Sequence, residues 1–143
     1  MKNKKLLEML ASYLDTKVTP DNFDMCNYAK DALYYATRIP EFKRMGFIYA
    51  SNDNAEPQLK GVATAFYKGK SDLEAAALFF DISNIEAQHL FAAFEYDENG
   101  YSHKSMFACD GASNGGYARN KETPAWAAAR IRTFVKSRDA KSA

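Results

Sequence analysis

The chain of 143 residues carries a formal net charge of +1, with 47% apolar and 26% charged residues. That is one domain on the usual size prior, long enough to bury a core, and its charge gives no global argument for nucleic acid or an anionic membrane. No apolar stretch approaches the ~20 residues that span a bilayer, and Cys26 and Cys109 lie too far apart to suggest a disulfide framework.

Met1 to Asp15 has the lysines of a signal peptide, but Glu8 interrupts its apolar run and no small-residue cleavage site follows. A cytoplasmic protein in a reducing compartment is therefore expected. Leu6, Leu7, Leu10, Tyr13 and Leu14 recur at helical spacing, which predicts an amphipathic helix over residues 3–15. Thr19 and Pro20 are a favoured helix start, and Phe23, Cys26, Ala29, Leu33 and Ala36 continue as one stripe, so a single helix is expected up to Pro40. Pro40 to Arg44 reads as a short turn, closed by Gly46 in a left-handed conformation. Residues 47–49 and 62–67 read as two short strands joined by the polar segment Ser51 to Pro57.

Ser71 to Phe94 reads as the centre of the core. Ser71-Asp-Leu-Glu74 and Ser83-Asn-Ile-Glu86 are both capping boxes, each opening an apolar run. They predict two helices, the second from Asn84 to Phe94, joined by a tight corner at Asp81 and Ile82. Asn99-Gly100 then signals a hairpin, followed by a mobile glycine loop, Gly111 to Gly116. Thr123 and Pro124 open a last helix with Ala127, Ile131, Phe134 and Val135 inward and a tail frayed from Ser137. The expected fold is mainly α, with α+β at the margin. It is a bundle of about five helices with a small β-hairpin, one domain over residues 1–143, frayed at 1–3 and 137–143 and mobile over about 97–122.

Motifs that carry chemistry are sparse. The corner at Asp81 has the packing pattern of a helix-turn-helix, with Ala77 at the small position and Ala87 and Leu90 packing back. However, seven acids and no Lys or Arg lie between Ser71 and Glu98, which opposes approach to phosphates. The basic end of the chain, including Arg119, Lys121, Arg130, Arg132, Lys136 and Arg138, suits nucleic acid or an acidic partner. A solvated face set partly against the acidic central helices is the favoured reading of it. Cys26, His89, His103 and Cys109 have no zinc-motif spacing, and Cys109 sits beside Asp110, which disfavours its thiolate. The glycine loop lacks the lysine of a phosphate loop. No metal, cofactor or catalytic site is expected.

Several fragments stand together in order: Ala36, Pro40, Phe42, Gly46 and Phe47; Tyr67 and Gly69; Ala75, Ala76, Phe79, Phe80, Ile82, Ser83, Glu86, Ala87, Leu90 and Phe91; then Thr123, Pro124, Ala128, Arg130, Ile131, Arg132, Phe134 and Val135. This order resembles small, mostly uncharacterised proteins of bacteria, phages and other mobile elements, over residues 23–137. The resemblance implies a mobile-element accessory protein and brings no catalytic residues with it. With ten Phe, nine Tyr and one Trp, the chain can also present aromatic anchors. The expected function is a non-enzymatic protein that binds a host or defence protein through Tyr34, Tyr35, Tyr117, Arg119, Trp126 and Arg130. The alternatives are a nucleic-acid binder using the C-terminal helix or the helix-turn-helix, and a protein that sequesters a nucleotide or other small ligand.

Overall fold

The computed structural model describes residues 3–25, 30–51, 63–92, 94–96, 102–105 and 123–142. Helix α1 (Lys4–Lys17) buries Leu7, Leu10, Ala11 and Leu14, one stripe at three- and four-residue spacing. That stripe lies on the C-terminal helix α6 (Pro124–Ser142), in the most extensive helix–helix contact among the described residues. Ala127, Ala128, Ile131 and Val135 form the buried face of α6, and the alanines let the two backbones approach closely. Lys4 pairs with Asp139 at 2.6 Å and Asp15 with Arg132, so the helices run antiparallel with their outer edges clasped. Helix α6 reaches Ser142, and the salt bridges of Asp139 with Lys4 and of Arg138 with Glu86 lie on its later turns.

The single helix expected between Thr19 and Pro40 is instead broken. Pro20–Asn22 form one 3-10 turn, and the Asp24 N–H then donates to the Lys30 carbonyl, so the chain turns back. A fresh helix, α2 (Ala32–Ala36), starts where the Asp31 side chain accepts the Tyr34 N–H at 2.8 Å. Of the expected stripe, Phe23, Leu33 and Ala36 are buried but reached by two segments, while Cys26 and Ala29 lie outside the described residues. Pro40–Arg44 is a full helical turn, α3, with Gly46 after it at φ 96° as expected. With it the described residues hold six α-helices, where about five were expected.

Strands β1 (Ile48–Ser51) and β2 (Ala63–Tyr67) pair antiparallel, Ile48 opposite Phe66 and Ser51 opposite Ala63. A short third strand, β3 (Lys70–Ser71), adds to the far edge of β2 through a two-residue turn. Both turn residues, Lys68 and Gly69, have positive φ (48° and 82°), the geometry that matches strand twist. Ser71 is therefore a strand residue opposite Phe66, and it makes no capping hydrogen bond to helix α4 (Asp72–Phe80). The capping box expected there is absent because sheet pairing claims the serine's backbone first.

The second box is present. The Ser83 N–H donates to Glu86 Oε1 at 2.8 Å, and the Glu86 N–H donates to Ser83 Oγ at 3.0 Å, opening α5 (Asn84–Phe91). Between α4 and α5, Asp81 takes the left-handed conformation, φ 57° and ψ 52°, and Ile82 N–H reaches the Ala77 carbonyl at 3.0 Å. Helix α5 ends at Phe91 rather than Phe94, since Phe94–Tyr96 forms strand β4, paired with β5 (Ser102–Ser105). This supports the expected hairpin; Asn99 and Gly100, and the glycine loop, lie outside the described residues.

The core meets in an aromatic cluster. Phe47 stacks on Phe79 at 4.5 Å, Phe42 meets the edge of Phe79 at 4.9 Å, and Phe80 stacks on Phe91 at 5.6 Å. Phe42, Phe47, Phe79 and Phe80 are essentially inaccessible. Such pairs are stabilising by about 0.5–1.5 kcal/mol beyond the area they bury. The helix pair α4–α5 thus sits at the centre, as expected, and Phe42 of α3 and Phe47, just before β1, supply the facing rings.

Candidate functional site

Helix α6 has more than one working face. Opposite the stripe that meets α1, Trp126, Arg130, Thr133, Phe134 and Ser137 recur at intervals of four, three, one and three residues. That spacing puts them on one side of the helix. With His89 and Leu90 of α5 they line a groove of about 500 Å3. Thr123 fixes the near end, its hydroxyl accepting the Trp126 N–H at 3.0 Å.

Trp126 and Arg130 act as a pair. The guanidinium carbon lies 4.7 Å from the centre of the indole, a cation–π stack. The Nη1 atom of Arg130 is buried without a hydrogen-bond partner, and burial pushes its guanidinium below the ordinary arginine value. No acid lines the groove, and Arg130 forms no salt bridge among the described residues. A buried donor left unmade costs about 1–3 kcal/mol. The neighbouring arginines differ: Arg132 pairs with Asp15 and Arg138 with Glu86. Burial raises the Glu86 carboxyl, but the Ser83 N–H and Arg138 outweigh it, so the net shift is downward and the pair stays charged. Part of the basic end of the chain is thus set against acids of the same molecule.

Tyr34 and Tyr35 belong to another aromatic group, on α2. Tyr34 meets Tyr35 and Tyr49 edge-on at 5.0 Å and 5.1 Å, with Arg38 over its ring at 6.0 Å. Tyr35 stacks on Phe23 and donates its hydroxyl to the Asn22 carbonyl, at the margin of the core. No ring contact or hydrogen bond links these tyrosines to Trp126 among the described residues. Of the six expected partner-binding residues, the fold brings Trp126 and Arg130 together and Tyr34 and Tyr35 together. Tyr117 and Arg119 lie outside the described residues. His89, Thr133, Phe134 and Ser137 joined the groove without being singled out for it. The α6 residues were legible as a helical stripe beside Trp126, whereas His89 depends on how α5 lies against α6.

A third feature is acidic. Asp31 is buried, and burial holds its carboxyl well above the ordinary value despite the Tyr34 N–H, with Asp72 and Asp24 adding repulsion. Asp72, the first residue of α4, is pushed by burial from 3.8 to about 6. Neither has a salt-bridge partner among the described residues, and no group there of His, Cys, Asp and Glu is arranged to hold a metal ion. Nor is any described helix long and apolar enough to cross a membrane.

The architecture is that of a helix-rich domain carrying a small antiparallel sheet, with its groove between two helices. No protein-family model, curated protein or solved structure matches the chain. The resemblance to mobile-element proteins accordingly rests on the sequence motifs alone.

Proposed function

We propose that this chain is a non-enzymatic interaction protein that engages a partner protein through the groove between α5 and α6, as an accessory factor of a mobile element. The observation that carries this reading is the Trp126–Arg130 stack in an open groove, where an arginine is left without a counter-charge among the described residues. Trp and Arg are the residue types that dominate binding energy at protein interfaces. Phe134 and Leu90 give the groove an apolar floor, and Thr133 and Ser137 give it hydroxyls. Tyr34 and Tyr35, packed into their own cluster, would contribute less.

A nucleic-acid reading draws less support. Arg132 and Arg138 are committed to carboxylates, and the exposed acids of the α4–α5 corner, Glu74 and Asp81, repel phosphate.

The test compares tagged wild-type protein with Trp126→Ala in pull-downs from nuclease-treated bacterial lysate, read by mass spectrometry. A stoichiometric protein retained by the wild type and lost by a folded Trp126→Ala variant supports the reading. Retention unaffected by the substitution moves the interface elsewhere. Retention of nothing, or of nucleic acid only, refutes the reading.

A further inference from the structure

We infer that the groove recognises an internal Glu or Asp side chain in an extended segment of the partner, flanked by apolar residues. The inference rests on the reading of this groove as a protein-binding surface and adds what the partner must present. Charge is the first argument. Arg130 lines the groove and is only partly buried as a residue; its Nη1 is the guanidinium nitrogen that is buried without a partner, and no carboxylate pairs with it among the described residues. The Trp126 ring lies against that guanidinium and Nη1 is buried, which leaves the in-plane Nε–Nη2 edge for a ligand. An edge of two N–H groups matches the two oxygens of a carboxylate.

The number of cations decides between carboxylate and phosphate. A phosphate carries nearly two negative charges and is bound as a rule by several cations or backbone donors. Among the described residues Arg130 is the one Lys or Arg that lines the groove, while Arg132 and Arg138 on the same helix are already paired with Asp15 and Glu86. A singly charged group is balanced by this site; a phosphate is not.

Length decides between an internal side chain and a chain end. From Trp126 to Ser137 the lining stripe covers about 16 Å at ~1.5 Å per helical residue, the length of roughly five extended residues. Arg130 stands about 6 Å from the Trp126 end and about 10 Å from the Ser137 end on the same scale. A bound segment therefore continues past the arginine in both directions. Its apolar neighbours fall against Trp126 on one side and Phe134 on the other.

Trp126 is the one tryptophan of the chain, so its emission reports on this groove alone. The probes are tryptophan-free hexapeptide pools, N-acetylated and C-amidated, with randomised apolar residues around a fixed central Glu. Matching pools carry Gln or phosphoserine at the centre, and a fourth has no acid but a free C-terminal carboxylate. The Glu pool is expected to shift Trp126 emission saturably, with at least tenfold higher affinity than the Gln pool. Arg130→Met is expected to abolish that preference while leaving the melting curve of the domain cooperative. Where that variant does not fold, the Glu-against-Gln comparison on the unaltered protein still decides. Equal binding of Glu and Gln pools, tighter binding of the phosphoserine or free-carboxylate pool, or no response to any pool overturns the inference. A lysate partner lost with Trp126→Ala but retained by a folded Arg130→Met protein overturns this inference alone and leaves the groove as a protein-binding surface.

Discussion

Asp72 is suited to a direct test of how burial sets the energetics of the sheet–helix junction, because Asp72→Asn changes its charge and little else. Its backbone is left-handed at φ 52°, a conformation that asparagine tolerates as well as aspartate does. An asparagine also keeps a side-chain oxygen for the Leu73 N–H that the carboxylate now accepts. The carboxyl is shifted from 3.8 to about 6, with desolvation the largest cause. Between those values the folded protein holds a proton that the unfolded chain has released. Stability contributed by this group is therefore complete below the unfolded value and declines as pH rises towards the folded one.

At ~1.4 kcal/mol per pH unit the full effect amounts to roughly 3 kcal/mol at about pH 7, and to about 1 kcal/mol at about pH 4.5. Asp72→Asn removes that penalty and also relieves the repulsion that Asp72 exerts on Asp31, which acts in the same direction. Urea unfolding of both proteins across this range measures the gain. It should grow as pH rises, reaching at neutrality a melting-point increase on the order of 10 °C. A gain that is absent at neutral pH, or equal at both ends of the range, refutes the argument that a buried charge is its source.

Other substitutions test the remaining parts. Phe79→Ala, which empties the centre of the aromatic cluster, should cost about 3–5 kcal/mol in chemical denaturation. Ser83→Ala should cost about 1 kcal/mol by removing one half of the capping box. Glu86→Ala should cost more than Ser83→Ala in the same assay, since it removes the other half and leaves Arg138 without its carboxylate. At the corner, Asp81→Gly should raise stability by ~0.5–1 kcal/mol and Asp81→Val should lower it, because a branched side chain opposes the left-handed backbone there.

Much of the local structure could be read from residues. The corner at Asp81, the box at Ser83, the stop at Gly46 and the start at Thr123 are contests among atoms within a few residues of one another, so the sequence contains all the parties. Readings failed where a distant segment intervened. The stripe from Phe23 to Ala36 has helical spacing, yet Asp31 opens its own helix once Asp24 and Lys30 have joined backbones. Ser71 has the residues of a cap, but pairing with Phe66 fixes its backbone in a strand. The groove shows the same division. Trp126 and Arg130 are a helical turn apart and meet whatever the rest of the chain does, whereas His89 arrives only through the packing of α5 beside α6.

The clasp of α1 on α6 sets the order in which the chain can complete itself. Leu7, Leu10 and Leu14 leave the ribosome well before their partners Ile131 and Val135, which are made only after every element in between. At translation rates of about 5–20 residues per second, the apolar stripe of α1 waits on the order of 10 s for its cover. Closing that contact also joins elements far apart in sequence, which slows folding relative to a bundle built from neighbours. Chains stopped before Thr123 should therefore be captured by chaperones or aggregate, with α1 as the exposed segment. Helix α6 is then what releases α1 from the cell's surveillance.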